Sequence, residues 1–231
     1  MSTLPDRGAP IGADANDSLE AARAHDRLSR ELLVYPMERV VSILLPLCQN
    51  AEHAVHVSCE TGLLALMTGG HCPNLRLTGL DHNSFLLEVA RENALLALWS
   101  GSPARTVFVE SPANRFPLED GSADVVFTFN ALYRCPCPVT LLQECRRIAR
   151  PGGRLLLYEL VRDADPDKVR FVCRWLQGQQ EAFLSMIQAC YSSTQISGFL
   201  EEAGLQGWQA SPDNLALRVT HRIAGPGQPP V

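Results

Sequence analysis

Ala54-Val55-His56-Val57-Ser58-Cys59-Glu60-Thr61-Gly62, running into Leu63-Leu64-Ala65-Leu66-Met67, is a short buried-strand pattern, a tight turn and the start of a helix. In α/β proteins the turn after the first strand holds the ligand, because its backbone comes close to the bound molecule and the next helix offers its N-terminal N–H groups. Glycine usually permits that approach. Here Thr61 and Gly62 are in place, but Ser58 and Glu60 stand where close backbone approach favours glycine. The stretch therefore predicts a pocket whose turn carries two side chains in place of glycine.

Outward from this turn, the elements alternate. Leu19 to Cys48 has helical periodicity interrupted or ended by Pro36 and Pro46, which predicts one or two leading helices. Leu63 to Thr68 reads as a short helix closed by Gly69-Gly70. Leu75 to Leu80 is a second strand ending at Asp81, and Asn83 caps a helix with the apolar stripe Phe85, Leu86, Val89, Ala90, Ala94 and Leu98. Thr106 to Val109 is a third strand, and Ala123 to Phe129 a fourth, apolar enough to be buried on both faces. Pro138 suits the first turn of a helix ended by Pro151-Gly152-Gly153, and Arg154 to Leu160 is strand five. From Asp167 to Ala203 the chain is mostly helical with a break near Tyr191-Ser192-Ser193, and strands follow at about Gly207 to Ala210 and Leu215 to His221.

Strands separated by single helices imply right-handed crossovers and a mostly parallel sheet covered on both faces. The ligand crevice then lies at the carboxyl ends of the strands, where the chain order reverses. That rule nominates Ser58 to Gly62, Asp81-His82, the loop after Val109, and Phe129 to Tyr133.

The chain has 231 residues, 46% of them hydrophobic, and a net charge of −5, which suits a single domain at 18–223. Residues 18–50 read as leading helices, 162–203 as a helical lid or insert, and 1–17 and 224–231 as disordered ends. No lysine- or arginine-rich block offers an electrostatic footprint for nucleic acid. No apolar run reaches membrane-spanning length and the N-terminus lacks a signal-peptide core, so a cytoplasmic location is expected. The eight cysteines are scattered; the single Cys135-Pro136-Cys137 pair is weak evidence for metal, and none is expected.

From about Val55 to Leu160 the chain resembles the core of the class I S-adenosylmethionine-dependent methyltransferases. The segments that carry the resemblance, in the family's order and spacing, are Phe116 to Val126 (Phe-Pro-Leu-Glu-Asp-Gly-Ser-Ala-Asp-Val-Val), Asn130 to Pro138 (Asn-Ala-Leu-Tyr-Arg-Cys-Pro-Cys-Pro) and Glu144 to Leu155 (Glu-Cys-Arg-Arg-Ile-Ala-Arg-Pro-Gly-Gly-Arg-Leu). It implies a Rossmann-like fold with a seven-stranded, mostly parallel sheet, a C-terminal antiparallel hairpin and helices on both faces. S-adenosylmethionine is the implied cofactor and methyl transfer to a small-molecule acceptor the implied activity. Asp81 matches the residue whose carboxylate takes both ribose hydroxyls, Ala113 the position whose backbone N–H reads the adenine edge with Asn114 beside it, and Asn130 a position near the acceptor. The implied cofactor site is Ser58, Cys59, Glu60, Thr61, Gly62, Asp81, His82, Ala113, Asn114 and Asn130, and the catalytic candidates are Asn130, Tyr133 and His56.

The departures are specific. The family's first motif has an acid at the position of His56 and glycine at Ser58 and Glu60, and Pro112 replaces the acid expected beside Ala113. Glu60 crowds the methionine end of the cofactor unless its carboxylate turns to the ammonium. Two other readings therefore stand beside methyl transfer: a binding or assembly subunit with a degenerate cofactor site, and a methyltransferase fold doing other chemistry with His56, Glu60 or His82 as acid or base. The expected partners are a small-molecule substrate, with no nucleic acid and no membrane; a homodimer or a partner protein is left open. Trp99, Trp175, Trp208, Phe171, Phe183 and Phe199 read as core, while Tyr133 and Tyr35 are the better candidates for the acceptor pocket. Tyr35, Met37, Arg39, Trp175, Met186 and Tyr191 form a shortlist for the lid.

Overall fold

The computed structural model describes residues 16–101, 105–176 and 178–224, so the expectations for 1–15 and 225–231 lie outside the described residues. Five strands pair in parallel: β1 (His53–Val57), β2 (Arg76–Asp81), β3 (Arg105–Glu110), β4 (Ala123–Phe129) and β5 (Ala149–Leu160). β6 (Gln209–Asp213) and β7 (Ala216–Arg222) form an antiparallel hairpin, with β7 antiparallel to β5. The order is β3-β2-β1-β4-β5-β7-β6, so the chain order reverses between β1 and β4.

Alternate residues of the central strands enter two cores, which is why these strands are apolar throughout. Val55, Val126 and Leu155 pack with α5 (Pro138–Ile148) and α8 (Ser193–Glu202) through Leu141, Leu142, Ile196 and Leu200. Ala54, Val125 and Leu156 face the other way, onto α2 (Val34–Cys48) and α3 (Leu63–His71), where Val40, Leu44 and Leu64 meet Phe127. α1 (Leu19–Leu32) packs on α4 (Ser84–Trp99). Asn83 caps α4 as the sequence predicts, its side-chain oxygen accepting from the N–H groups of Phe85 and Leu86. α6 (Pro166–Cys173) and α7 (Gln180–Ala189) lie between β5 and α8.

The sequence reading needs four local corrections. Gly69-Gly70 do not close α3, which continues to His71; a glycine costs a helix only about 1 kcal/mol, too little to stop one whose Leu64 and Ala65 are buried. Pro151-Gly152-Gly153 do not end α5 but lie within β5, where Ala149 already pairs with Ala123 and Gly152 N–H bonds the Ile223 carbonyl. Trp99, Trp175 and Phe171 are not core: they are 90%, 72% and 57% exposed, Trp99 and Phe171 on the surfaces of α4 and α6 and Trp175 in the turn after α6. Tyr191 and Met37 are not at a lid surface either, since Tyr191 packs edge-on to Phe199 in one core and Met37 joins the other.

Candidate functional site

The turn from β1 to α3 keeps its tight backbone without glycine at two of three left-handed positions. Ser58, Glu60 and Gly62 have φ of 57°, 51° and 76°. For a residue with a Cβ this conformation costs roughly 1–2 kcal/mol. Neighbouring strands impose it: Cys59 N–H bonds the Leu80 carbonyl at 2.9 Å, and Glu60 N–H bonds Asp81 Oδ2 at 2.9 Å. At Gly62 packing adds a second constraint, because a Cβ there would lie 2.4 Å from Phe108 Cζ. Cys59 is buried, and burial raises its thiol well above the ordinary range. Thr61 is buried too, and its carbonyl accepts from Asn93 Nδ2, which also bonds Asp26 Oδ1, so α1 and α4 are fastened to the turn.

Asp81 sits at the carboxyl end of β2, beside that turn and 4% exposed. Its two carboxylate oxygens accept from Glu60 N–H and Asn83 N–H, at 2.9 and 3.0 Å. Each oxygen has a second lone pair for another donor. Burial raises its pKa, against the opposing pull of the Asn83 N–H and of His82, whose Nδ1 is 3.5 Å away and whose side chain is exposed. At the end of β3, Ser111 N–H bonds the Asp81 carbonyl, so the half-buried Ala113 and the exposed Asn114 follow on the same side of the crevice.

Across the crevice, the short 3-10 turn Leu132–Arg134 after β4 brings Arg134 onto Glu60. The two carboxylate oxygens of Glu60 face different groups: Oε1 accepts from Arg134 Nη1, and Oε2 lies 3.3 Å from Nε2 of His25 on α1. Both members of the ion pair are largely buried, at 16% and 14% side-chain exposure. Burial lowers the Arg134 pKa to about 10, which leaves it a cation at neutral pH. His25 is held neutral, its pKa brought down to about 4 by burial first and by Arg134 second.

His56 does not reach solvent. Its ring stacks on Phe127 at 4.6 Å, neither ring nitrogen has a hydrogen-bond partner, and burial, aided by Arg134, pushes its pKa to about 3. A group that stays neutral down to that pH is a poor general base near pH 7.

The turn after β4 is held by a residue the sequence reading missed. Glu159 of β5, 2% exposed, accepts from Thr128 Oγ1 at 2.7 Å, Ala131 N–H at 3.2 Å and Leu132 N–H at 3.0 Å. Asn130 has φ of 54°, and its Oδ1 accepts from Leu160 N–H at 2.9 Å. Its side chain thus ties the turn to the end of β5. Tyr133 packs partly buried against the core and burial raises its phenol pKa, while Tyr35 is 78% exposed. Arg39 pairs with Asp213 of β6.

Glu159, Arg134, His25 and Asn93 were not singled out from sequence. A lone acid in the apolar run Leu155 to Leu160 was a readable signal for Glu159. His25 carried none, because it matters only once α1 lies over the turn. Among the described residues no group of three or more His, Cys, Asp or Glu side chains is placed to hold a metal ion, and all eight cysteines are free. A depression lined by Gln143, Arg146, Arg147 and Glu202 lies beyond the amino end of β5, away from the crevice.

This crevice, at the reversal of a β3-β2-β1-β4-β5-β7-β6 sheet with a buried aspartate after β2, is that of a Rossmann-like methyltransferase fold. Residues 55–157 match the family described as "Methyltransferase domain", and that match, with the methyltransferase fold, supports the resemblance to the class I S-adenosylmethionine-dependent methyltransferases and S-adenosylmethionine as the implied cofactor. It is 30% identical over 155 residues to a demethylmenaquinone methyltransferase of Thermotoga maritima, covering 65% of this chain and 61% of that one. It is 26% identical over 202 residues to the 27-O-demethylrifamycin SV methyltransferase of Amycolatopsis mediterranei, covering 84% and 64%. The chain thus spans less than two thirds of the length of these curated relatives. A crystal structure from Methanococcus maripaludis, of a candidate S-adenosyl-L-methionine-dependent methyltransferase, superposes with a TM-score of 0.74 at 14% identity over 100% of both chains.

The residues present fit that cofactor unevenly. The carboxylate of Asp81 retains acceptor capacity for two hydroxyls, and the left-handed backbone at Ser58 and Glu60 keeps the turn in a shape glycine would give. At the other end, the Glu60 side chain points at Arg134 and not at solvent.

Proposed function

We propose that the chain is a cytoplasmic enzyme that transfers a methyl group from S-adenosylmethionine to a small-molecule acceptor. One observation carries the reading: the β1–α3 turn holds Ser58 and Glu60 at positive φ although both residues oppose it. A turn released from ligand binding gains stability by relaxing to an ordinary conformation, so strain kept at the mouth of a crevice supports the reading of a working site. The two curated relatives, whose names give a demethylmenaquinone and a demethylrifamycin as substrates, support a small-molecule acceptor.

When bound, S-adenosylmethionine supplies an electrophilic methyl group on a sulfonium. What the protein contributes is orientation and a dry site, since in-line attack by an acceptor nucleophile needs few catalytic groups. Asp81 accepts from the ribose hydroxyls with the lone pairs its backbone bonds leave over. The backbone of Ser58 to Gly62 lies along the cofactor, His82 borders it beside Asp81, and Ala113 N–H with Asn114 reads the adenine edge. Asn130 and Tyr133 border the acceptor side of the crevice, on a turn that Glu159 fixes.

The test is a thermal-shift titration with S-adenosylmethionine and S-adenosylhomocysteine, backed by calorimetry. Ligand at 100 times its dissociation constant adds about 2.7 kcal/mol to the folded state. Asp81→Ala should weaken S-adenosylhomocysteine at least tenfold, since charge-assisted bonds are worth about 1.5–3 kcal/mol. No shift and no heat with the wild type would sink the enzyme reading and favour a binding subunit.

A further inference from the structure

The Glu60–Arg134 pair has the features of a site that reads opposite charges. Its members sit on the turns after β1 and β4, the neighbouring strands between which the chain order reverses. They come from loops 74 residues apart, not from the rigid sheet. An ion pair this buried is weak evidence for a stabilising role, because desolvation cancels most of the attraction. Arg134 also keeps Nε buried with no hydrogen-bond partner, although a guanidinium can donate five bonds in a planar fork.

The charges around the turn account for the placement. Where the resembled family has an acid, this chain has His56, which burial keeps neutral. Glu60, on the turn that follows β1, restores one carboxylate to the crevice, and Arg134 faces it from the opposite wall. His25 packs against the second oxygen of Glu60 and limits where the carboxylate can go.

We propose that Glu60 and Arg134 form a clamp for the α-amino acid zwitterion of S-adenosylmethionine, paired with each other at rest and parting so that Glu60 takes the ammonium and Arg134 the carboxylate. The exchange is neutral in charge: one ion pair inside the protein is replaced by two to the ligand, and no lone charge is left desolvated. Arg134 suits the carboxylate because its fork can donate two parallel bonds, including the one from Nε that has no taker in the resting pair. The clamp makes Glu60 an adaptation of the pocket and not a blockage. It rests on the methyltransferase reading above.

Calorimetry with two probes separates these ideas. S-adenosylhomocysteine carries the amino acid end, and 5′-deoxy-5′-methylthioadenosine has the same nucleoside and a neutral sulfur without it. In Glu60→Gln and in Arg134→Gln the clamp requires S-adenosylhomocysteine to bind at least tenfold more weakly, with methylthioadenosine changed less than twofold. Arg134→Lys, which keeps the charge but loses the fork, should fall between wild type and Arg134→Gln, and serves if Arg134→Gln does not fold. Stronger binding of both nucleosides in Glu60→Gln would identify the pair as a plug and overturn the clamp. Unchanged S-adenosylhomocysteine affinity in the variants would overturn it while leaving the methyltransferase reading in place. If neither nucleoside binds the wild type, that reading falls, and the clamp with it.

Discussion

The turns after β1 and β4 both hold residues with side chains at positive φ, 57° and 51° at Ser58 and Glu60 and 54° at Asn130. They differ in what holds them there. Asn130 is secured by its own amide, bonded to Leu160 N–H, and by Glu159, which takes the next two backbone N–H groups. Asparagine is also among the residues that tolerate the left-handed region best. Ser58 and Glu60 are held from outside, through Leu80 and Asp81 on the neighbouring strand, and the Glu60 side chain goes to a group across the crevice. One turn is fixed from within the sheet it leaves and the other is strained and charged, on the two walls of one crevice.

Removing the anchor of the β4 turn tests the scaffold side most severely. Glu159→Ala leaves Thr128 Oγ1 and the N–H groups of Ala131 and Leu132 buried without an acceptor, and each such group costs about 1–3 kcal/mol. A loss of roughly 3–5 kcal/mol in urea unfolding is expected. A loss under about 1 kcal/mol would show that the turn holds itself and would erase the contrast.

The β1 wall has its own acid sensitivity. His56 in the folded protein has a pKa of about 3, below the ordinary histidine value, so between the two pH values the unfolded chain binds a proton that the folded one does not. Stability is therefore highest above pH about 6.5 and falls as pH drops toward 3, by on the order of 2–3 kcal/mol at pH 4.5 from this residue. His25 adds a fall in the same direction between about 6.5 and 4. His56→Phe, which keeps a ring against Phe127, should remove the His56 share and flatten the acid limb of the stability curve between pH 7 and 4. An unchanged acid limb would place the sensitivity elsewhere.

The smallest effect is the sharpest on the comparison itself. Ser58→Gly relieves a left-handed Cβ and should stabilise by about 0.5–1 kcal/mol, after the entropy glycine adds to the unfolded chain. Asn130→Gly relieves the same φ but loses the bond to Leu160 N–H, and should destabilise by about 1 kcal/mol. Equal signs in thermal unfolding would mean that the two turns are held alike.

Much of this molecule is legible in one dimension. The apolar strands, the Asn83 cap, the Pro138 helix start and the acid closing β2 are local signals, each read within a few residues, and all are where the pattern puts them. Composition patterns could not tell a covered helix face from an open one, which is why Trp99 and Phe171 read as core and are exposed. Nor could they distinguish glycines that end a helix from the Pro151-Gly152-Gly153 that a neighbouring strand recruits into β5.

What the sequence determined by itself is the order of elements and, through Asp81 and the turn of Ser58 to Gly62, where the crevice lies. What only the tertiary structure decided is the charge within it. Glu60 meets Arg134 because β1 and β4, far apart in the chain, are neighbours in the sheet, and His25 joins them because α1 packs over the turn. A strand pattern depends on residues adjacent in the chain, whereas an ion pair depends on which loops the sheet order brings face to face.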